Sequence, residues 1–160
     1  PSLLPDFVRR DDLSDWLYTY QMSGSESYLY SLKKYKESPS EIWLMTALSK
    51  ADKASTGLPR LIEAAINVGH SSTAYPTIAY HLARIYLFQG KNAEARKVVD
   101  EMLDAGDAIP VTARNSFISL KLTLTETIED WLKYSMKKPY AFDFAGDIGT
   151  VDSILAEQRK

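Results

Sequence analysis

Apolar residues recur along this chain at intervals of three and four, the period of an amphipathic helix. From Asp12, the residues Leu13, Trp16, Leu17 and Tyr20 fall on one face, with Asp12 placed as an N-cap. Gly24 interrupts the pattern. Tyr28, Leu29, Leu32 and Tyr35 then share a side, with Lys33, Lys34 and Lys36 mostly on the other. Ser38-Pro39-Ser40-Glu41 reads as a helix start, with serine capping, proline first in the helix and glutamate reaching back. Ile42, Leu44, Met45, Ala47, Leu48 and Ala51 give that helix a broad apolar surface. Its partner is predicted from about Leu58 to Val68, after a loop holding Thr56 and Gly57, with Gly69 closing it in the left-handed conformation.

The next pair is the clearest. Tyr75 to Phe88 forms one helix, Gln89-Gly90-Lys91-Asn92 the turn, and Ala93 to Ala105 a second helix ending at Gly106. After Ile109-Pro110 a further helix carries Ala113, Phe117, Leu120 and Leu124. Thr123 and Thr125 are candidate caps for a shorter one with Ile128, Trp131, Leu132 and Met136, stopped by Pro139. Residues 139–149 lack a helical period and read as an ordered loop, followed by a short helix from about Val151. No stretch alternates like a strand. The expected fold is all-α.

Pro39, Pro76 and Pro110 open successive pairs at an interval of about 34–37 residues, a spacing that marks stacked helical repeats. A single pair cannot bury its shared apolar face, and stacking on neighbours completes the core. The predicted pairs are about 12–36, 39–69, 75–106 and 110–136. They form one domain over 1–138, with 139–160 packed on it or extending it.

Within the third pair, Ala79, Leu82, Ala83, Tyr86, Gly90 and Ala95 stand where a tetratricopeptide repeat places its small, leucine, small, tyrosine, glycine and alanine residues. The segment resembles that family. Met102 departs from the pattern, as do Leu122-Thr123-Leu124-Thr125 in place of a glycine turn in the last pair. The resemblance implies stacked antiparallel helix pairs in an α-α superhelix whose first helices line a concave groove for partner segments. It places Thr77, Tyr80, Arg84, Leu87 and Phe88 on that groove: an aromatic face, a cation suited to carboxylates, and apolar contact.

Composition adds little against this picture. The charged fraction is 25% and the net charge −2, which gives no basic surplus for a nucleic-acid partner. With no cysteine there are no disulfides, thiolate metal sites or cysteine nucleophiles, and the compartment stays open between cytoplasmic and exported. No apolar run is long enough to span a bilayer. The start at Pro1 suggests a processed or truncated piece of a larger bacterial protein.

Candidate chemistry is sparse. His70 beside Ser71 and Ser72 could suggest a nucleophile and its base, but neighbours in a turn do not supply the oriented geometry that chemistry needs. His81 has no second metal ligand at helical spacing and is expected to be packed or at the surface. Asp11, Asp12, Asp15 and Glu126, Glu129, Asp130 fall in first helical turns, where negative charge is favoured. Asp143, Asp147 and Asp152 lack the spacing of a calcium loop. Ten tyrosines and three tryptophans exceed what one repeat core needs; Trp16, Trp43, Trp131 and Tyr86 sit at core spacing. The sequence points to a non-catalytic module, without metal or cofactor, that holds a protein or peptide. The alternatives are a helical accessory domain of a larger cell-envelope enzyme and a small hydrolase using His70 or the acidic tail.

Overall fold

The structure, a computed structural model, describes residues 8–137. Among them are eight α-helices and no strand. The helices are α1 (Asp12–Gln21), α2 (Ser25–Glu37), α3 (Glu41–Lys50), α4 (Leu58–Ile66), α5 (Tyr75–Phe88), α6 (Asn92–Asp104), α7 (Val111–Thr123) and α8 (Ile128–Ser135). Short 3-10 turns precede α1 at Val8–Arg10 and follow α6 at Gly106–Ala108. The expected loop and helix beyond residue 138 lie outside the described residues, as do Asp143, Asp147 and Asp152.

Each helix packs on its pair partner, and two further kinds of contact repeat. The first helices touch in succession, α1 on α3, α3 on α5 and α5 on α7. The second helices pack on the next first helix, α2 on α3, α4 on α5 and α6 on α7. Ala83 and Ala95 are fully buried and Ala79 nearly so, which lets backbones approach where larger side chains would hold them apart. Leu44, Leu48, Leu61, Ile78, Ile85, Val99 and Phe117 join one continuous core from α3 to α7. Gly90 turns the α5–α6 connection at φ 71°, a left-handed geometry that glycine takes without strain.

Several boundaries differ from the sequence reading. Asp11, one residue earlier than Asp12, caps α1 by accepting from the Ser14 amide at 2.9 Å. Ser40 caps α3, so Pro39 precedes the cap and does not begin the helix. Helix α4 ends at Asn67, and the left-handed glycine is Gly57 at its start, φ 78°, not Gly69. Thr127 caps α8, where Thr123 and Thr125 were the candidates.

The two ends depart further. In α1 the buried side chains are Asp15 and Thr19, while Leu13, Leu17 and Tyr20 are exposed and Trp16 is half-buried. In α2, Tyr28 and Leu32 are buried as their spacing requires, but Leu29 is exposed. Helix α8 has no buried residue, and Trp131, expected inside, is 46% exposed. Trp43 and Tyr86 do pack inside. A period marks an apolar face without saying whether a neighbour covers it, and the terminal helices have fewer neighbours.

The ends of several helices are closed by cations from other helices. Lys50 of α3 donates to the carbonyls of Tyr20, at 3.1 Å, and Met22 at the end of α1. From α5, Arg84 donates to Leu48 and Ser49, each at 2.8 Å, and to Ala51 at 3.3 Å. Arg114 of α7 reaches Leu103 in the last turn of α6 at 3.1 Å, and Arg96 of α6 reaches Leu124 past α7 at 2.7 Å. The last carbonyls of a helix have no partner within it and carry partial negative charge, so a cation there satisfies both needs.

Candidate functional site

A groove of about 350 Å³ opens where α1, α5 and α7 converge. Tyr20 of α1 forms one wall; Pro76, Thr77, Tyr80 and His81 of α5 and Thr112, Ala113, Ser116 and Phe117 of α7 form the rest. The Tyr80 ring stands edge-on to Phe117, with centroids 6.0 Å apart and an interplanar angle of 82°. It meets His81 edge-on as well, at 5.3 Å. This arrangement sets the electropositive edge of one ring against the face of the next and fixes Tyr80 as a wall of the groove.

His81 is only 9% exposed, and its Nδ1 has no hydrogen-bond partner among the described residues. Burial, with a smaller contribution from the Arg84 charge, pushes its pKa down to about 4. The imidazole is therefore neutral at physiological pH.

The five residues assigned to a groove by the family resemblance are not brought together. Thr77 and Tyr80 line the groove. Arg84 points instead at the end of α3, where its guanidinium is held by backbone carbonyls. Leu87 is half-buried against the core, and Phe88 is 53% exposed with the Arg84 guanidinium 5.6 Å from its ring centroid. Tyr20, His81, Ser116 and Phe117 enter the groove without having been singled out for it. Phe117 and Tyr20 were visible only as members of apolar faces. Their convergence depends on how non-adjacent helices stack, which spacing within one helix does not encode.

The other candidates are separated from this groove. His70 stacks on Tyr75 at 4.4 Å, and its Nδ1 lies 3.2 Å from Glu101, which also accepts from the Tyr75 hydroxyl at 3.0 Å. Burial first, then the Glu101 hydrogen bond, raise the Tyr75 pKa to about 12. Ser72 donates to Glu41, so it is not paired with His70 as a nucleophile would be with its base. Asp15 is fully buried between α1 and α2, accepting from Tyr30 at 2.6 Å and lying 3.3 Å from Lys34 and 3.8 Å from Arg9. Glu126 pairs with Arg96 at 2.8 Å, while Glu129 and Asp130 are exposed in the first turn of α8. Among the described residues no helix is long and apolar enough to cross a membrane.

Comparison of the chain with profiles of known protein families, with curated proteins and with solved structures finds no match.

Proposed function

We propose that this chain is a non-catalytic interaction module of the tetratricopeptide type, and that it holds a partner polypeptide in the groove between α1, α5 and α7. The observation that carries this reading is the groove itself. It places the aromatic rings of Tyr20 and Tyr80 at one opening built from three first helices of pairs, backed by the fully buried Phe117. Aromatic side chains supply large contact area at low entropic cost and are enriched where partners bind. The repeated contacts of first helix on first helix, and of second helix on the following first helix, support a superhelical array. The alternation of small Ala83 and Ala95 with larger core residues supports the same arrangement.

The test is affinity capture from the source cells with the wild-type chain and with Tyr80→Ala and Thr77→Trp, the second narrowing the groove. Leu29→Ser, an exposed change on α2 outside the groove, is the control. Partners retained by the control and lost by both groove variants are the expected result. Partners retained by all three would place the binding face elsewhere.

A further inference from the structure

Helix α8 differs from the other helices in what it leaves uncovered. It packs on α7 with Tyr134 half-buried, the Lys121 ammonium 5.5 Å from that ring, and Lys137 donating to Ser119 at 2.7 Å. Each of the other seven helices buries at least two side chains fully, and α8 buries none. Ile128, Trp131, Leu132 and Met136 are all at least 46% exposed. Spaced at three and four residues, they make one apolar stripe along the helix. A continuous stripe of this kind marks a surface that another polypeptide covers.

The charges around the stripe are sorted by sign. Glu126, Glu129 and Asp130 lie at the start of α8, and Lys133 and Lys137 at its end. Glu129 and Lys133 are exposed and stand one turn apart beside the stripe. Among the described residues Glu129 has no ion-pair partner, and Lys133 lies 5.2 Å from the Tyr134 ring centroid, which leaves its charge in place. A second α8 laid antiparallel on the first sets the acidic start of each helix against the basic end of the other. Glu129 then meets Lys133 of the second copy twice, the self-complementary match that a twofold axis requires. Laid parallel, the same helices would bring like charges together. The other exposed stripe, Leu13 and Leu17 of α1, starts among Arg9, Arg10, Asp11 and Asp12 and has no such sorting.

We infer that α8 is a self-association surface, on which two copies of this chain pair through antiparallel α8 helices, with the stripe buried between them and Glu129 and Lys133 setting the orientation. A helix of eight residues is about 12 Å long, so the contact is smaller than the roughly 1,200 Å² at which stable complexes begin. The pair therefore forms with a Kd on the order of 100 µM and parts on dilution. Pairing makes the particle bivalent: it brings two grooves together, so a partner that presents two segments is held far more tightly than one that presents a single segment. The stripe takes no part in the groove, and the pairing stands or falls apart from it.

The experiment is sedimentation equilibrium of the full 160-residue chain at low salt, from about 5 µM to about 1 mM. A monomer at the lower end and a reversible dimer at the upper end are expected. Leu132→Asp should weaken the dimer about tenfold or more, and Leu17→Asp on α1 should leave it unchanged. Glu129→Lys and Lys133→Glu each set like charges against each other and should each weaken self-association about fivefold. An equal mixture of these two variants should recover wild-type association, because one copy is basic at both positions and the other acidic at both. The double variant Glu129→Lys with Lys133→Glu should recover it as well. A helix merely weakened by either change would not be mended by mixing. Failure of the mixture to recover, or loss of the dimer in Leu17→Asp, overturns the antiparallel α8 pair. So does a chain that stays monomeric throughout, whether its Trp131 is open to iodide or shielded by the residues that follow α8.

Discussion

The guanidinium of Arg84 donates to the carbonyl oxygen of Leu48 at 2.8 Å, so the end of α3 is finished by a side chain that belongs to α5. Ser49 and Ala51 accept from the same nitrogen, which gathers three carbonyls on one charge. Removing the cation leaves these acceptors poorly satisfied in a part-buried site. Arg84→Ala should lower stability by about 2–3 kcal/mol, from the usual size of a charged hydrogen bond and the cost of unpaired acceptors. Arg84→Lys should recover only part of the loss, because an ammonium lacks the planar fork. Urea unfolding of the three proteins checks this.

His81 makes stability depend on pH in a defined window. Its folded pKa lies near 4, below the ordinary value of 6.5, so the unfolded chain binds the proton more readily. This contribution is constant above about pH 6.5 and is lost progressively as pH falls toward about 4. The full loss is about 3 kcal/mol, the free-energy equivalent of the shift. His81→Gln should flatten the difference between melting curves at neutral and mildly acidic pH, and a variant with the same acid sensitivity as wild type would contradict the assignment.

Asp15 is the buried charge of the amino-terminal pair. Its carboxylate is fully enclosed and held by Tyr30, Lys34 and Arg9. Truncation to alanine leaves those partners facing a void and should cost about 2–4 kcal/mol, the lower part of the range reflecting the partial exposure of the two cations. Asp15→Asn keeps an acceptor for the Tyr30 hydroxyl and should cost less. Thermal melts of both variants give the comparison.

The three tryptophans should report separate environments. Trp43 is fully buried, Trp16 is half-buried with its indole donating to Thr46 at 2.7 Å, and Trp131 is 46% exposed. Iodide quenching should fall most in Trp131→Phe and least in Trp43→Phe. Trp131→Phe should change stability by no more than about 0.5 kcal/mol, as expected for a surface position. Trp43→Phe should cost more, because it opens space in a packed region.

The helices were legible because periodicity, proline and glycine are local signals. The α5–α6 pair shows this best: its bounds, its Gly90 turn and its buried Ala83 and Ala95 all follow from residues near one another in sequence. Exposure at the ends was not legible. The stripe of Leu13, Leu17 and Tyr20 has a core-like period, yet α1 turns Asp15 and Thr19 inward because α2 supplies Lys34 and Tyr30 to meet the carboxylate. The cation caps were invisible for a related reason. Arg84 and Leu48 are far apart in sequence, and nothing near either announces the other. Arg84 was assigned to the groove from the family resemblance, but the open carbonyls at the part-buried end of a neighbouring helix took its donors instead.

The cross-helix caps also define where this molecule can yield. Lys50 fastens α1 to α3 and Arg84 fastens α3 to α5, so three first helices form a tethered spine. The second of these links passes directly from α3 to α5 and bypasses α4, whose own end is finished locally by Asn67 donating to Glu63 at 2.9 Å. Helix α4 is held instead by its apolar face, with Leu58, Leu61 and Ala65 buried in the common core, so its frayed end should exchange amides with solvent ahead of the capped ends of α1 and α3. The described helices behave less like a stack of equal plates than like a keel with one rib held by its apolar face alone.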